Sequence, residues 1–124
     1  MPVLPCPTAP THELPGARFT TLATPSLGTC ETAIWTVEML PGADAVPHQV
    51  TREEIFVALA GEAAVVLDGA EHALHEGDTL VVPAGVTFSV AAAGTAPFRA
   101  LVCLPVGGQA VMPGGEPFTP PWAA

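Results

Sequence analysis

The chain has 124 residues, of which 49% are hydrophobic and 12% charged, and it carries a formal net charge of −9 with three arginines and no lysine. This length suits one domain, and the high apolar content excludes an intrinsically disordered chain. The negative charge argues against nucleic acid or an anionic membrane surface as a partner, and the lack of lysine excludes chemistry through a lysine Schiff base.

Both ends of the chain are rich in proline, which favours extended arms over helices or central strands. We predict an N-terminal arm with the first edge strands over residues 1–31 and a Pro/Gly-rich C-terminal arm over residues 106–124. Phe118 and Trp122 should pack against the domain, since large aromatic rings are rarely left in water. The glycines of residues 106–117 form no phosphate-binding motif, so this segment is predicted to be a loop.

The region between the arms, residues 32–105, consists of short strand signals separated by turn residues. Asp68-Gly69 predicts a tight hairpin turn, because both central positions of such a turn need positive φ. Turn signals at intervals of roughly ten residues, with no convincing helical period, predict an all-β sandwich or barrel. The predicted strand segments are 32–40, 53–61, the hairpin 63–74, 77–85, 86–94 and 97–105.

The first of these strands shows which side chains face the interior. Side chains alternate along a strand, so Trp35, Val37 and Met39 share one face, and we expect this face to point inward together with Phe56. Val37 and Met39 are expected to be simply core. Trp35 suits both a core position and the mouth of a ligand pocket.

Two glycine-containing motifs follow each other within this region. The first fits the pattern G-x5-H-x-H-x3-E-x6-G with a valine in place of the second histidine, and the second fits G-x5-P-x-G-x2-H-x3-N with phenylalanine and alanine in place of the last two residues. In chain order the matching residues are Gly42, His48, Val50, Glu54 and Gly61, then Gly77, Pro83, Gly85, Phe88 and Ala92. With this frame the chain resembles the cupin superfamily, and in particular its small single-domain members of the Cupin_2 type.

The resemblance implies a jelly-roll β-barrel with a ligand site inside it. It also implies a homodimer, a small organic molecule as partner, and a divalent metal (Mn, Fe, Ni, Zn or Cu) held by three His and one Glu. Here only His48 and Glu54 match metal-ligand positions, while Val50 and Phe88 replace the other two. Two ligands fall short of the three that a catalytic metal site usually needs. We therefore expect the protein to have no cofactor, with one divalent metal as the alternative. A rescuing ligand would have to come from His12 or Glu53.

We therefore keep three hypotheses for the function. The first is a small-molecule-binding barrel with an incomplete metal site, in which Trp35, Val50, Phe56 and Phe88 bind the ligand. His48 and Glu54 would be the ionisable pair of the pocket and could act as general acid and base without metal, or could form a buried hydrogen bond with no catalytic role. The second is a metal-dependent dioxygenase, isomerase or decarboxylase with an unusual ligand set. The third is a non-catalytic metabolite sensor or accessory module.

The other polar or reactive groups are expected to have no role in the site. His72 and His75 follow the predicted hairpin turn and should be surface histidines. Arg52 is expected to form a surface ion pair with Glu53 rather than an anion site. The three cysteines are far apart and odd in number, so we expect free thiols. No apolar run approaches the about 18 residues of a membrane span, and no secretion signal is recognisable, so we expect a cytoplasmic location.

Overall fold

The computed structural model describes residues 3–124, which form a nearly all-β structure with two short 3-10 turns at Pro25–Leu27 and Pro121–Ala123. No helix within these residues is long and apolar enough to cross a membrane. The strands are β1 (His12–Leu14), β2 (Ala17–Ala23), β3 (Thr32–Met39), β4 (Gln49–Val50), β5 (Glu54–Ala60), β6 (Glu62–Leu67), β7 (Ala70–Leu74), β8 (Thr79–Val82), β9 (Phe88–Ala93), β10 (Phe98–Pro105) and β11 (Ala110–Val111).

Two sheets built from antiparallel strand pairs enclose the core. The larger has six strands in the order β1-β2-β3-β10-β5-β8, and the smaller has three in the order β7-β6-β9. A backbone bridge between His48 and Phe88 joins the short β4–β11 pair to β9, so the smaller sheet continues into it. This is the predicted jelly-roll barrel.

The alternation predicted along β3 is present. Trp35 and Val37 are buried and Met39 is half-buried, and their strand pairs with β10, which supplies Val102 and Ala100 to the same core. Val102, Ala100 and Phe98 have no measurable exposure. Strand β10, in the middle of the larger sheet, therefore contributes fully buried side chains to the core.

The turns follow the chemistry of the sequence. Asp68 and Gly69 have φ values of 50° and 81° between β6 and β7, as the hairpin turn requires. At Gly61, between β5 and β6, φ is +75° and a Cβ atom would overlap the carbonyl oxygen of Pro97. Only glycine fits at this position, where two backbone segments come into contact.

The C-terminal arm folds back onto the barrel. Trp122 stacks on Phe19 with ring centroids 3.6 Å apart, and its carbonyl oxygen accepts a hydrogen bond of 2.8 Å from the Thr21 hydroxyl. The expected packing of Trp122 is confirmed, whereas Phe118 stays 41% exposed. The segment 106–117 is not entirely a loop as predicted, because Ala110–Val111 pairs with β4.

Candidate functional site

A cavity of about 490 Å³ lies inside the barrel. Strand β3 of the larger sheet contributes Trp35 and Val37 to its wall, and β9 of the smaller sheet contributes Phe88 and Val90. The C-terminal arm adds Trp122 at one side. A volume of this size falls within the roughly 300–1,000 Å³ range of small-molecule sites.

Aromatic side chains are concentrated around this cavity. The chain has five Phe, two Trp and no Tyr, and of these only Phe98 lies outside the cavity wall. Both tryptophan side chains lie in the cavity wall, so their fluorescence should change when a ligand binds. The aromatic residues of the wall are Phe19, Trp35, Phe56, Phe88, Phe118 and Trp122.

Glu54 places a carboxyl group in this apolar wall. It begins β5, shares the inward face with buried Phe56 and Ala58, and is only 6% exposed. Among the described residues, its carboxyl group makes no hydrogen bond or ion pair. Burial raises the pKa of Glu54 from 4.5 to about 8, since desolvation disfavours the charged form. Glu54 is therefore mostly a neutral acid at pH 7, with its polar atoms available to a ligand.

His48 lies in the same cavity wall but is held by a different partner. Its Nδ1 is 2.9 Å from the carbonyl oxygen of Val46, which can only accept, so Nδ1 donates. In the neutral ring this leaves the lone pair on Nε2. The imidazole also packs against Phe88, with centroids 4.5 Å apart and planes inclined by 47°. The alternative in which His48 and Glu54 form a buried hydrogen bond is not found among the described residues, where the imidazole N–H is donated to Val46 and no contact joins Nε2 to Glu54.

The remaining predicted pocket residues are found together at the cavity. Val50 and Phe88 are 3% and 1% exposed, and both line the wall beside His48. Trp35 and Phe56 line it from the larger sheet, and their side chains are buried in the core. The structure thus brings all six proposed site residues to one cavity, although it does not assign them roles.

The donor atoms at this cavity do not fit a three-ligand metal centre. Val50 and Phe88 carry no lone pair to donate, and no group of three or more His, Cys, Asp and Glu side chains with metal-site geometry occurs among residues 3–124. His12 pairs with the Thr11 hydroxyl outside the cavity wall, and Glu53 is exposed. Neither suggested rescuing ligand reaches the site.

One ionisable residue of the cavity was missed at the sequence level. Asp44 lines the cavity from the loop between β3 and β4 and is exposed, so it lies at the rim. The only signal available was its place inside the spacer between Gly42 and His48. The prediction that His48 and Glu54 are the only ionisable groups of the pocket is therefore wrong.

The surface groups mostly lie where they were expected. His72 and His75 are exposed, and the cysteines are free thiols. Arg52 and Glu53 are both exposed, as expected of a surface pair, although none of the described ion pairs joins them. Arg52 instead donates to the carbonyl oxygen of Val106 at 3.1 Å.

Comparison with known proteins gives one family match. The model of the cupin domain family Cupin_2 matches residues 35–104, which is more than half of the chain and includes both glycine motifs in full, residues 42–61 and 77–92. The comparison with curated proteins gives no match.

Several solved structures are similar in fold. KdgF from Halomonas sp. has 23% identity and a TM-score of 0.67, with 77% of this chain and 84% of that chain covered. A cupin superfamily protein from Desulfitobacterium hafniense has 21% identity and a TM-score of 0.63, with 73% and 77% covered. Salicylate 1,2-dioxygenase from Pseudaminobacter salicylatoxidans has 19% identity and a TM-score of 0.70, with 87% of this chain but 33% of that chain covered. The chain thus spans about a third of the dioxygenase, and identities this low establish a common fold only.

Proposed function

This chain belongs to the cupin superfamily, and we propose that its barrel binds a small, mostly apolar organic molecule without the help of a metal ion. Glu54 and His48 would supply the polar contacts, and Trp35, Val50, Phe56 and Phe88 the apolar ones. The observation that carries this proposal is the carboxyl group of Glu54, which is 6% exposed, faces the cavity and has no partner in the described structure.

A buried polar group without a partner is costly, and such groups in folded proteins are usually hydrogen-bonded. A ligand with one polar group would satisfy Glu54 while its apolar body displaces water from the aromatic wall. The family's metal chemistry is not carried over, because Val50 and Phe88 remove two of the four ligand positions. No step of the proposed function uses a metal.

Acid–base catalysis is a second candidate, favoured by the state of the two polar groups. Glu54 with a pKa of about 8 holds a proton at pH 7 that it can donate, and the Nε2 lone pair of His48 can accept one. On a carbonyl ligand, Glu54 would protonate the oxygen while His48 removes a proton from the neighbouring carbon, which gives the enol. Return of the two protons to new positions would isomerise the ligand.

Binding can be tested with N-phenyl-1-naphthylamine, a neutral apolar dye whose fluorescence rises in apolar surroundings. We expect saturable binding of one dye per chain that is lost in Ala92→Phe, because Ala92 lines the cavity. The matched control is Ala64→Phe on the exposed face of β6, which should bind like the parent protein. Equal binding by both variants would contradict a site inside the barrel.

Catalysis can be tested separately by proton exchange. Cyclohexanone in heavy water should exchange its α-hydrogens faster with the protein than without it, as followed by NMR. Glu54→Gln and His48→Ala should remove this acceleration while dye binding persists. Exchange that is unchanged in both variants would exclude acid–base catalysis and leave a binding function.

A further inference from the structure

The charge of the cavity indicates which class of small molecule it selects. Resting on the proposed binding function, we infer that the barrel takes a protonated amine with an apolar body, whose ammonium group contacts Glu54 and His48. This assignment follows from the polar atoms, the charges and the aromatic rings of the cavity wall.

The polar side chains of the wall are mainly acceptors. Asp44 at the rim and Nε2 of His48 in its neutral form accept hydrogen bonds, and Glu54, a neutral acid in the empty cavity at pH 7, becomes an acceptor once it releases its proton. The N–H at Nδ1 of His48 is already used by the carbonyl of Val46. The other side-chain donors in the wall are the indole groups of Trp35 and Trp122. An ammonium group carries only donors, so it complements this set better than a carbonyl or carboxylate does.

The distribution of positive charge points the same way. The three arginines of the chain, Arg18, Arg52 and Arg99, are exposed, and no arginine is among the described residues of the cavity wall. The formal net charge is −9. An anionic ligand would therefore enter a cavity with no compensating cation, whereas a cation is attracted by the negative protein as a whole and, once Glu54 has released its proton, by that carboxylate.

The aromatic wall also favours a cation. A positive group over the face of an aromatic ring is attracted by the ring's quadrupole, and this attraction is stronger where water is excluded. Phe56 and Phe88 lie in an edge-to-face arrangement with centroids 6.0 Å apart, and His48 also packs against Phe88. When the ammonium binds, Glu54 gives its proton to solvent, and the resulting ion pair satisfies the otherwise unpartnered carboxyl group.

Two matched ligand series test the inference. The first is cyclohexylmethylamine, cyclohexylmethanol and cyclohexanecarboxylate, and the second is benzylamine, benzyl alcohol and benzoate, all measured at pH 7 by tryptophan fluorescence and thermal shift. We expect each amine to bind about ten- to a hundred-fold tighter than its alcohol, as a charge-assisted hydrogen bond would give. The carboxylates should bind weakest. Benzyltrimethylammonium, which has no N–H donor, should bind more weakly than benzylamine.

The variant Glu54→Gln keeps the side-chain size and should abolish the preference for the amine, so that the ratio of the amine and alcohol affinities falls to about one. Glu53→Gln is the matched control, because it removes the same charge one residue away on the exposed surface. A preference that survives in Glu54→Gln, or is lost equally in Glu53→Gln, would overturn the inference. Equal affinities for amine and alcohol, or the tightest binding by a carboxylate, would also overturn it and leave the binding function intact. If no member of either series binds, the inference fails, and binding of N-phenyl-1-naphthylamine decides separately on the proposed function.

Discussion

The buried carboxyl group of Glu54 should make the stability of the protein fall as pH rises. The pKa of Glu54 is about 8 in the folded protein and near 4.5 when exposed. Below pH 4.5 the group is protonated in both states and contributes no pH dependence. Between the two values the unfolded chain loses this proton while the folded protein keeps it, so the free energy of unfolding decreases with pH. Above pH 8 the group is ionised in both states, and the full penalty is present.

The size of this effect follows from the two pKa values. A difference of about 3.5 in pKa, at about 1.36 kcal/mol for each pKa unit, corresponds to roughly 5 kcal/mol between pH 4 and pH 9. Glu54 is only 6% exposed, but its carboxyl oxygens keep accessible surface toward the cavity, so water there relieves part of this penalty and roughly 5 kcal/mol is its upper size. A penalty of this size is a large part of the 5–15 kcal/mol or so that stabilises a typical domain.

The measurement is urea denaturation of the parent protein and of Glu54→Gln at several pH values from 4 to 9. The difference between the two free energies of unfolding isolates Glu54, because the other titrating groups are common to both proteins. Across the middle of this range, we expect the free energy of unfolding of Glu54→Gln, relative to that of the parent protein, to rise by about 1.4 kcal/mol per pH unit. Glu53→Gln, which changes an exposed glutamate, should show no such gain. Parallel stability curves for the parent and Glu54→Gln would refute a buried, unpartnered Glu54.

Three further predictions concern packing, backbone and metal. Phe88→Ala should lower the free energy of unfolding by about 3–5 kcal/mol in denaturant titrations, since Phe88 is 1% exposed; a loss below about 1 kcal/mol would contradict its core role. Gly61→Ala should cost more than about 2 kcal/mol by the same method, because its Cβ would strike the backbone of Pro97, whereas Gly69→Ala, with open space around it, should cost about 1 kcal/mol. Elemental analysis after loading with Mn, Fe, Ni, Zn or Cu should find well below one metal ion per chain, and a stoichiometry near one that is lost in His48→Ala would overturn the metal-free assignment.

Local patterns predicted most of the fold. Short strand signals bounded by turn residues located β3 and β5, and Asp68-Gly69 located the β6–β7 hairpin, because these features depend only on neighbouring residues. Alternation along β5 also applies to the site. Glu54 lies two positions before Phe56, so both side chains are on the same buried face of the strand. The cavity wall formed by the two motifs was predictable for this reason.

The parts that were missed depend on contacts between distant segments or on the conformation of a loop. The hydrogen bond from Thr21 to Trp122 joins residues that are 101 positions apart, and no local pattern specifies it. Asp44 reaches the rim through the conformation of a loop that contains no strand or helix. His48 donates to Val46 rather than to Glu54 for the same reason, because the loop places a carbonyl oxygen beside the ring.

The wall of the cavity is also the core of the protein. Val37, Phe56 and Phe88 belong both to the buried hydrophobic cluster and to the surface that a ligand would touch. Natural or laboratory selection for heat resistance alone would favour larger side chains that close this hollow, because filling a cavity is a common route to higher stability. Such variants would lose the ligand while gaining stability. Substitutions that raise the thermal stability and preserve ligand binding must therefore be sought in the turns and on the outer faces of the sheets.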